Sequence, residues 1–243
     1  MILLGLDTAT PSTVVGLATG EGKVLEARDD PGPGERPAHG TRLLALAAGL
    51  LDRAGLEWAD LGRIGVGTGP GTFTGLRIGV TTARALAQAT GAELAGVSTL
   101  RTLALGAVLG YRSGQSRLVL SVIDARRGEA FVAAYQGGGD GPGPRELTPP
   151  RAVAPGALAQ VALEAVAGVT GPDWLAVGDG AIRFREHLEH ARIVVPPDDA
   201  VVHRVSAGPL CQLASSGPGL APEALTPDYV RVPDADLAPP TLP

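Results

Sequence analysis

Ile2-Leu3-Leu4-Gly5-Leu6-Asp7 and Val119-Leu120-Ser121-Val122-Ile123-Asp124 read ILLGLD and VLSVID, at an offset of 117 residues. The first is a continuous apolar run, the pattern of a buried strand, and the second is an apolar strand carrying one serine, Ser121; both end on an aspartate. At the same offset, and without a gap, Val14-Val15-Gly16-Leu17-Ala18 lies over Phe131-Val132-Ala133-Ala134-Tyr135. Both copies therefore read apolar strand, Asp, short turn, apolar strand. Each then meets a Gly/Pro-rich break, Asp29 to Gly40 in the first copy and Gly137 to Pro144 in the second. The chain is read as a duplicated architecture with its boundary near Gly110 to Ser116.

Working outward, Thr13 to Thr19 and Lys23 to Arg28 continue the first copy as strands around a Glu21-Gly22 turn. Asp29 to Gly40 reads as a mobile loop. Leu43, Leu44, Ala47, Leu50, Leu51 and Ala54 keep the helical period over Thr41 to Ala54, with Gly55 as the stop. A strand over Arg63 to Gly67, a helix from Thr74 to Thr90, a strand over Glu93 to Val97 and a helix from Thr99 to Leu109 follow. A meander succeeded by alternating helices and strands implies an α/β fold with a mixed five-stranded sheet covered by helices. The second copy is sparser. Helices are expected over Leu158 to Ala167, Ala181 to His190 and His203 to Ser215, the last weakened in its middle by Pro209. Strands are expected over Trp174 to Val177 and Arg192 to Val195, with Gly178-Asp179-Gly180 as a turn. The domains are then 1–110, which the 203–217 helix can complete, a smaller 111–202, and an extended tail over 218–243.

Composition narrows the function. Hydrophobic residues make up 44% of the 243 positions but aromatic ones only 3%, so Ala, Leu, Val and Gly carry the core. There is no membrane-length apolar run and no signal-like N-terminus. The one cysteine, Cys211, suits a reducing cytoplasm and a buried structural role. With 20 basic and 25 acidic residues the net charge is −5. Gripping nucleic acid alone calls for a basic surplus, so any RNA contact is expected through another subunit.

Gly67 to Gly79 reads GTGPGTFTGLRIG and invites three chemical readings. A Walker loop needs Gly-Lys-Ser/Thr, and no Lys is present. A dinucleotide fingerprint needs G-x-G-x-x-G, but the sixth residue is Thr72 or Thr74. A nucleophile elbow needs Ser between the glycines, and Phe73 stands there. What remains is a strand-to-helix turn in which glycines let backbone approach backbone, with Thr72 or Thr74 as helix cap. Asp7 has two readings. With Thr8 it marks a vestigial nucleotide site, and an active ATPase or kinase would use Asp7 and Asp124 facing one cleft. Alternatively Asp7 opens an Asx-type turn through Thr8 to Ser12; the lack of a basic partner for phosphate favours the turn. His187 and His190 fall on one helix face without a third ligand, so a solvated face is expected. No zinc signature is present. Arg126-Arg127-Gly128-Glu129 reads as a charged hairpin turn.

Together, LGLDTAT at Leu4 to Thr10, His39 ahead of the Leu-rich helix, GTGPGTFTGLRIG, VIDARRGEAFVAAY at Val122 to Tyr135 and the tail Pro227-Asp228-Tyr229-Val230-Arg231 (Pro-x-Tyr-x-Arg) resemble the TsaB (YeaZ) family. The resemblance implies an actin-like (Hsp70/sugar-kinase, ribonuclease H-like) duplicated fold. It implies a non-catalytic part in making N6-threonylcarbamoyladenosine in tRNA, 3′ of the anticodon. TsaD is the transferase there, TsaE a small ATPase, and TsaB their adaptor, a homodimer when alone. No cofactor is implied, beyond ATP or ADP at a shared junction of the complex. TsaD carries a His-x-x-x-His metal motif; the matching positions here are Thr99 and Leu103, and Leu103 cannot ligate a metal. The docking face is expected on the helices of Thr41 to Ala54 and Thr74 to Thr90, through Leu43, Leu44, Ala47, Leu50, Leu76, Arg77, Val80, Ala83, Arg84 and Ala87.

Overall fold

A computed structural model describes residues 1–20, 22–32, 34–110, 118–138, 141–166 and 174–230. The expected boundary after Gly110, the Glu21 side of the first hairpin turn, and the tail from Arg231 lie outside these residues. The first half forms β1 (Ile2–Asp7), β2 (Thr13–Ala18), β3 (Val24–Asp29), α1 (His39–Ala54), β4 (Leu61–Gly69), α2 (Phe73–Thr90), β5 (Glu93–Ser98) and α3 (Thr99–Gly110). Its sheet runs β3-β2-β1-β4-β5, antiparallel in the meander and parallel beyond it. The second half forms β6 (Leu118–Arg126), β7 (Glu129–Gln136), β8 (Arg145–Glu146), β9 (Arg151–Val153), α4 (Leu158–Ala165), β10 (Trp174–Val177), α5 (Asp179–Arg183) and α6 (Arg185–His190), followed by α7 (Ala207–Ser216). Its sheet runs β10-β6-β7-β8, with β9 also on β7. Among the described residues no helix is long and apolar enough to cross a membrane.

Strand alternation sorts side chains onto two faces of each sheet. On the first sheet Leu4, Leu6, Val15, Leu17, Ile64 and Leu94 meet α1 and α2 in one core. On the opposite face Leu3, Ala95 and Val97 meet α7 and Leu105 of α3. In the second sheet Val119, Ile123, Ala133 and Tyr135 meet α3, while Leu120, Val122 and Val132 meet α4 and the α5–α6 pair. Each half thus lends a helix to the other: α3 leaves the first sheet to cover the second, and α7 returns to the first.

The seat of α7 explains why this sheet face is poor in large side chains. Gly16, Gly5 and Gly65 sit side by side in register across β2, β1 and β4. A Cβ at Gly16 would lie 2.6 Å from Cβ of Ala207, and one at Gly5 would lie 2.9 Å from Sγ of Cys211. One at Gly65 would strike Cβ of Ala214. Ala207, Cys211 and Ala214 are a single helix face by spacing, so small residues meet a glycine furrow. The sheet also grips both ends of the helix. Glu26 accepts from the Ala207 N–H (2.8 Å) at the positive end. Arg63 donates to the carbonyls of Ala214 (2.9 Å) and Gly217 (3.0 Å) at the negative end, while Glu93 holds its other nitrogen at 2.7 Å.

Four expectations change. α7 starts at Ala207, so Pro209 falls in its first turn, where no intrahelical N–H is needed, and does not interrupt it. The helix expected over Ala181 to His190 is two short ones broken at Phe184, and the preceding Asp179 is already helical. Arg192 to Val195 is no strand but a single bridge, Leu175↔Val194, because Pro196 and Pro197 follow and cannot extend a ladder. Thr72 holds the cap position of α2 but makes no side-chain cap bond.

Packing this close has a measurable signature. Gly65→Ala is expected to lower stability by about 1–3 kcal/mol through overpacking. Gly49→Ala in α1, where an added Cβ meets nothing within 4 Å, is expected to raise it by about 1 kcal/mol. Urea unfolding of the two variants beside the parent checks the opposite signs.

Candidate functional site: the aspartate turns and the glycine segment

The residues Gly67, Gly71, Gly75 and Gly79 run from the end of β4 into α2, and each faces the turn between β1 and β2. A Cβ at Gly67 would strike the Asp7 carboxylate, at Gly71 the Ala9 carbonyl, and at Gly75 the Thr8 carbonyl. At Gly79 it would lie 2.5 Å from the Thr8 hydroxyl. The two segments are stitched together: the Thr72 N–H donates to the Ala9 carbonyl and the Thr8 hydroxyl to the Gly75 carbonyl, both at 2.8 Å. The turn therefore packs directly against the glycine segment, with no room for a side chain at these four positions.

Asp7 is fully buried. Its Oδ1 accepts from the Ala9 N–H (2.8 Å), the Asx turn expected from sequence, and its Oδ2 accepts from the Thr99 hydroxyl at the start of α3 (2.9 Å). Burial pushes its pKa up to about 6, against the pull of these two hydrogen bonds. Thr99 and Leu103, both on α3, are buried: Thr99 bonds Asp7, and Leu103 packs in the core that α3 forms with the second sheet.

Asp124 opens the same kind of turn, accepting from the Arg126 N–H at 2.9 Å. It nevertheless lies on the other face of its sheet. Asp7 shares a face with Leu3 and Gly5, toward α7. Asp124 shares a face with Leu120 and Val122, toward α4 to α6. The cross-strand pairs show why. Leu6↔Val15 and Asp7↔Val14 frame the first hairpin, whereas Ile123↔Phe131 and Asp124↔Ala130 frame the second. If Phe131 stands for Val14, then Ile123, not Asp124, stands for Asp7. The ungapped match is one residue out in the first strand of the repeat, and one residue inverts the face. Arg183 (2.8 Å) and Arg126 (3.5 Å) neutralise the Asp124 carboxylate. The cleft of about 300 Å³ between the halves is lined by Thr10, Asp30, Leu103, Asp179 and Arg204 among others, but by neither aspartate. Asp7 and Asp124 thus do not face each other across this cleft.

The expected docking residues also divide. Leu43, Ala47, Leu50, Val80, Ala83 and Ala87 are buried in the chain's own core against the first sheet, and Leu76 is buried beside Gly69 at the end of β4, so their apolar stripes are internal packing. Leu44 (48% exposed), Arg77 and Arg84 remain on the outer face. Beside them is a cluster that the sequence reading missed. The Phe73 and Tyr229 rings stand 5.3 Å apart, the Arg77 guanidinium lies 3.9 Å over Phe73, and Arg77 Nε donates to the Tyr229 hydroxyl at 3.3 Å. The Asp228 N–H anchors that tail to the Thr68 carbonyl at 2.7 Å. Phe73 and Arg77 are visible as an i, i+4 pair; their partner, 152 residues on, has no local signal beyond the tail pattern. His187 and His190 are exposed on α6, as expected. Cys211 is a buried thiol, its pKa pushed up to about 12 by burial. His39 is also buried, which lowers its pKa, and its Nδ1 meets the Thr13 hydroxyl at 2.8 Å.

Two sheets built around the same strand–meander core, each covered by a helix from the other, define the duplicated actin-like class. Residues 35–191 match the family model described as TsaD: tRNA N6-adenosine threonylcarbamoyltransferase. The tRNA threonylcarbamoyladenosine biosynthesis protein TsaB of Escherichia coli (strain K12) is 31% identical over 233 residues, which cover 95% of each chain. A solved structure described as YeaZ from Pseudomonas aeruginosa superposes with a TM-score of 0.73 at 29% identity, covering 94% of this chain and 99% of that one. A second, described as an uncharacterized protein with similarity to peptidase YEAZ from the same organism, gives 0.76 at 30% identity, covering 95% and 99%. The chain belongs to the TsaB (YeaZ) family.

The buried carboxyl supplies a pH test. Asp7 binds its proton more tightly when folded (about 6, against 3.8), so its contribution is fully present below about pH 4 and is lost as pH rises to 6. Asp7→Asn keeps an acceptor for the Ala9 N–H and has no charge to desolvate. Its stability relative to the parent is expected to climb by up to about 3 kcal/mol between pH 4 and 6 and then level off. Thermal melts across that range check this.

Proposed function

We propose that this chain acts in N6-threonylcarbamoyladenosine synthesis as a non-catalytic adaptor, binding and organising a TsaD-type transferase together with a TsaE-type ATPase in the cytoplasm. One observation carries the reading: both strand-end aspartates, the residues an actin-like nucleotide enzyme would need, are spent on the chain's own backbone and side chains. In this reading the protein holds no cofactor of its own, any nucleotide sits at a junction shared with its partners, and tRNA is reached through the complex. Alone, it pairs with a second copy through the same outer helices. The family name supports the pathway, and the exposed side of α1 and α2 supports the role of a docking face.

Reconstitution tests it. TsaD- and TsaE-type partners, tRNA and the threonylcarbamoyl-adenylate donor are expected to form the modified base at least about tenfold faster with this protein than without it, a modest fraction of what a complete catalytic site contributes. Equal rates would overturn the proposal. Asp7→Asn is expected to stimulate as well as the parent, because Asp7 is structural; an ATPase relying on Asp7 would lose its activity.

A further inference from the structure

We infer that Arg77, held by Phe73 and Tyr229, is a preformed carboxylate clamp and the energetic centre of the partner interface, so that the C-terminal tail is part of the docking surface. The inference rests on the adaptor reading and specifies its chemistry.

An exposed arginine ordinarily loses much rotamer freedom when a partner takes it up. Here that freedom is already restricted. The guanidinium stacks on Phe73, and its Nε is bonded to the Tyr229 hydroxyl. The bond uses the inner nitrogen, and no hydrogen bond or ion pair to Nη1 or Nη2 is found among the described residues. Those two nitrogens form the fork that fits a carboxylate bidentately. Phe73 and Tyr229 are still 39% and 41% exposed, so the cluster keeps apolar surface to bury. Aromatic and arginine side chains in such settings carry most of the binding energy of protein interfaces.

Charge identifies the occupant. The α2 segment, Phe73 to Thr90, contains no acidic residue, and Arg84 adds a second cation two turns further on. Its first turn is the positive end of the helix and has no acid to compensate it. On a chain of net charge −5 this is a local positive strip. Its complement is a protein surface that presents an aspartate or glutamate beside an apolar edge. In the adaptor reading that surface belongs to the TsaD-type transferase. Tyr229 reaches the cluster because the tail is pinned at two points: the Leu220 N–H donates to the Leu94 carbonyl on β5 (2.8 Å), and Asp228 is tied to Thr68.

Titration calorimetry of the full chain with its TsaD-type transferase, at low and at 0.5 M salt, tests this. Arg77→Lys keeps the charge but not the fork, and is expected to weaken binding about tenfold. Arg77→Glu is expected to weaken it about a hundredfold or more and to reduce the salt dependence, Arg84 remaining in the strip. Tyr229→Phe keeps the ring and loses the hydroxyl, for about threefold; Tyr229→Ala costs about tenfold through lost preorganisation. Lys23→Glu, on the far edge of the sheet, is expected to bind like the parent. Circular dichroism melts establish that each variant is folded. If Arg77→Lys and Tyr229→Ala bind within twofold of the parent, the clamp is overturned while the adaptor reading stands. If the parent itself does not bind the transferase, the adaptor reading falls. If Arg77→Glu abolishes only self-association, the occupant is a second copy and the assignment to the transferase is overturned.

Discussion

The first sheet and α7 approach each other more closely than ordinary side chains would allow, and much of the architecture follows from that. Gly16, Gly5 and Gly65 leave a furrow with no Cβ atoms, and Ala207, Cys211 and Ala214 lie in it. Close contact of this kind trades hydrophobic bulk for dispersion contacts at high density. That suits a chain with so few aromatic residues. It also demands that the helix be placed accurately, which Glu26 and Arg63 achieve by holding one end each. The charges match the helix dipole at both ends, so the sheet orients α7 as well as seating it.

The same logic shapes the glycine segment. Its four-residue spacing looks like a loop for a ligand, yet each glycine clears a named atom of the turn that begins at Asp7. The segment is a mould of that turn. Thr8 and Thr72 supply the hydrogen bonds that fix it, and Asp7 extends the contact to α3 through Thr99. Three elements thus converge on one buried carboxyl, with no cation acting on it among the described residues. The resulting rise in its pKa reflects a structural use of a residue that, in an open cleft, would face solvent and ligand.

Much of the fold was legible because period and punctuation are local. The apolar runs of β1 and β6, the Gly55 stop, and the turn chemistry at Asp7 gave elements close to those observed. Faces were harder to read. Two apolar strands match equally well in neighbouring registers, and only the pairing of Ile123 with Phe131 reveals that Asp124 points away from the side Asp7 occupies. Burial was harder still. An amphipathic stripe such as Leu76, Val80, Ala83 and Ala87 states that something covers it, but not whether the cover is the chain's own sheet or another protein. The cluster of Phe73, Arg77 and Tyr229 was illegible for a different reason: its members meet only after the whole chain has come back on itself.

That return path bears on synthesis. The furrow formed by β1, β2 and β4 is made from the first third of the chain, but the helix that fills it is encoded after residue 206, and the tail that pins β5 comes later still. A ribosome releases the sheet long before its cover. Until α7 emerges, one face of the first sheet stays open and the buried surface that stabilises it is incomplete. Contacts of such long sequence separation form late and slowly, and domains generally fold as units. The N-terminal half is therefore not an independent module that a truncated message would deliver intact. The early sheet and the late helix secure each other.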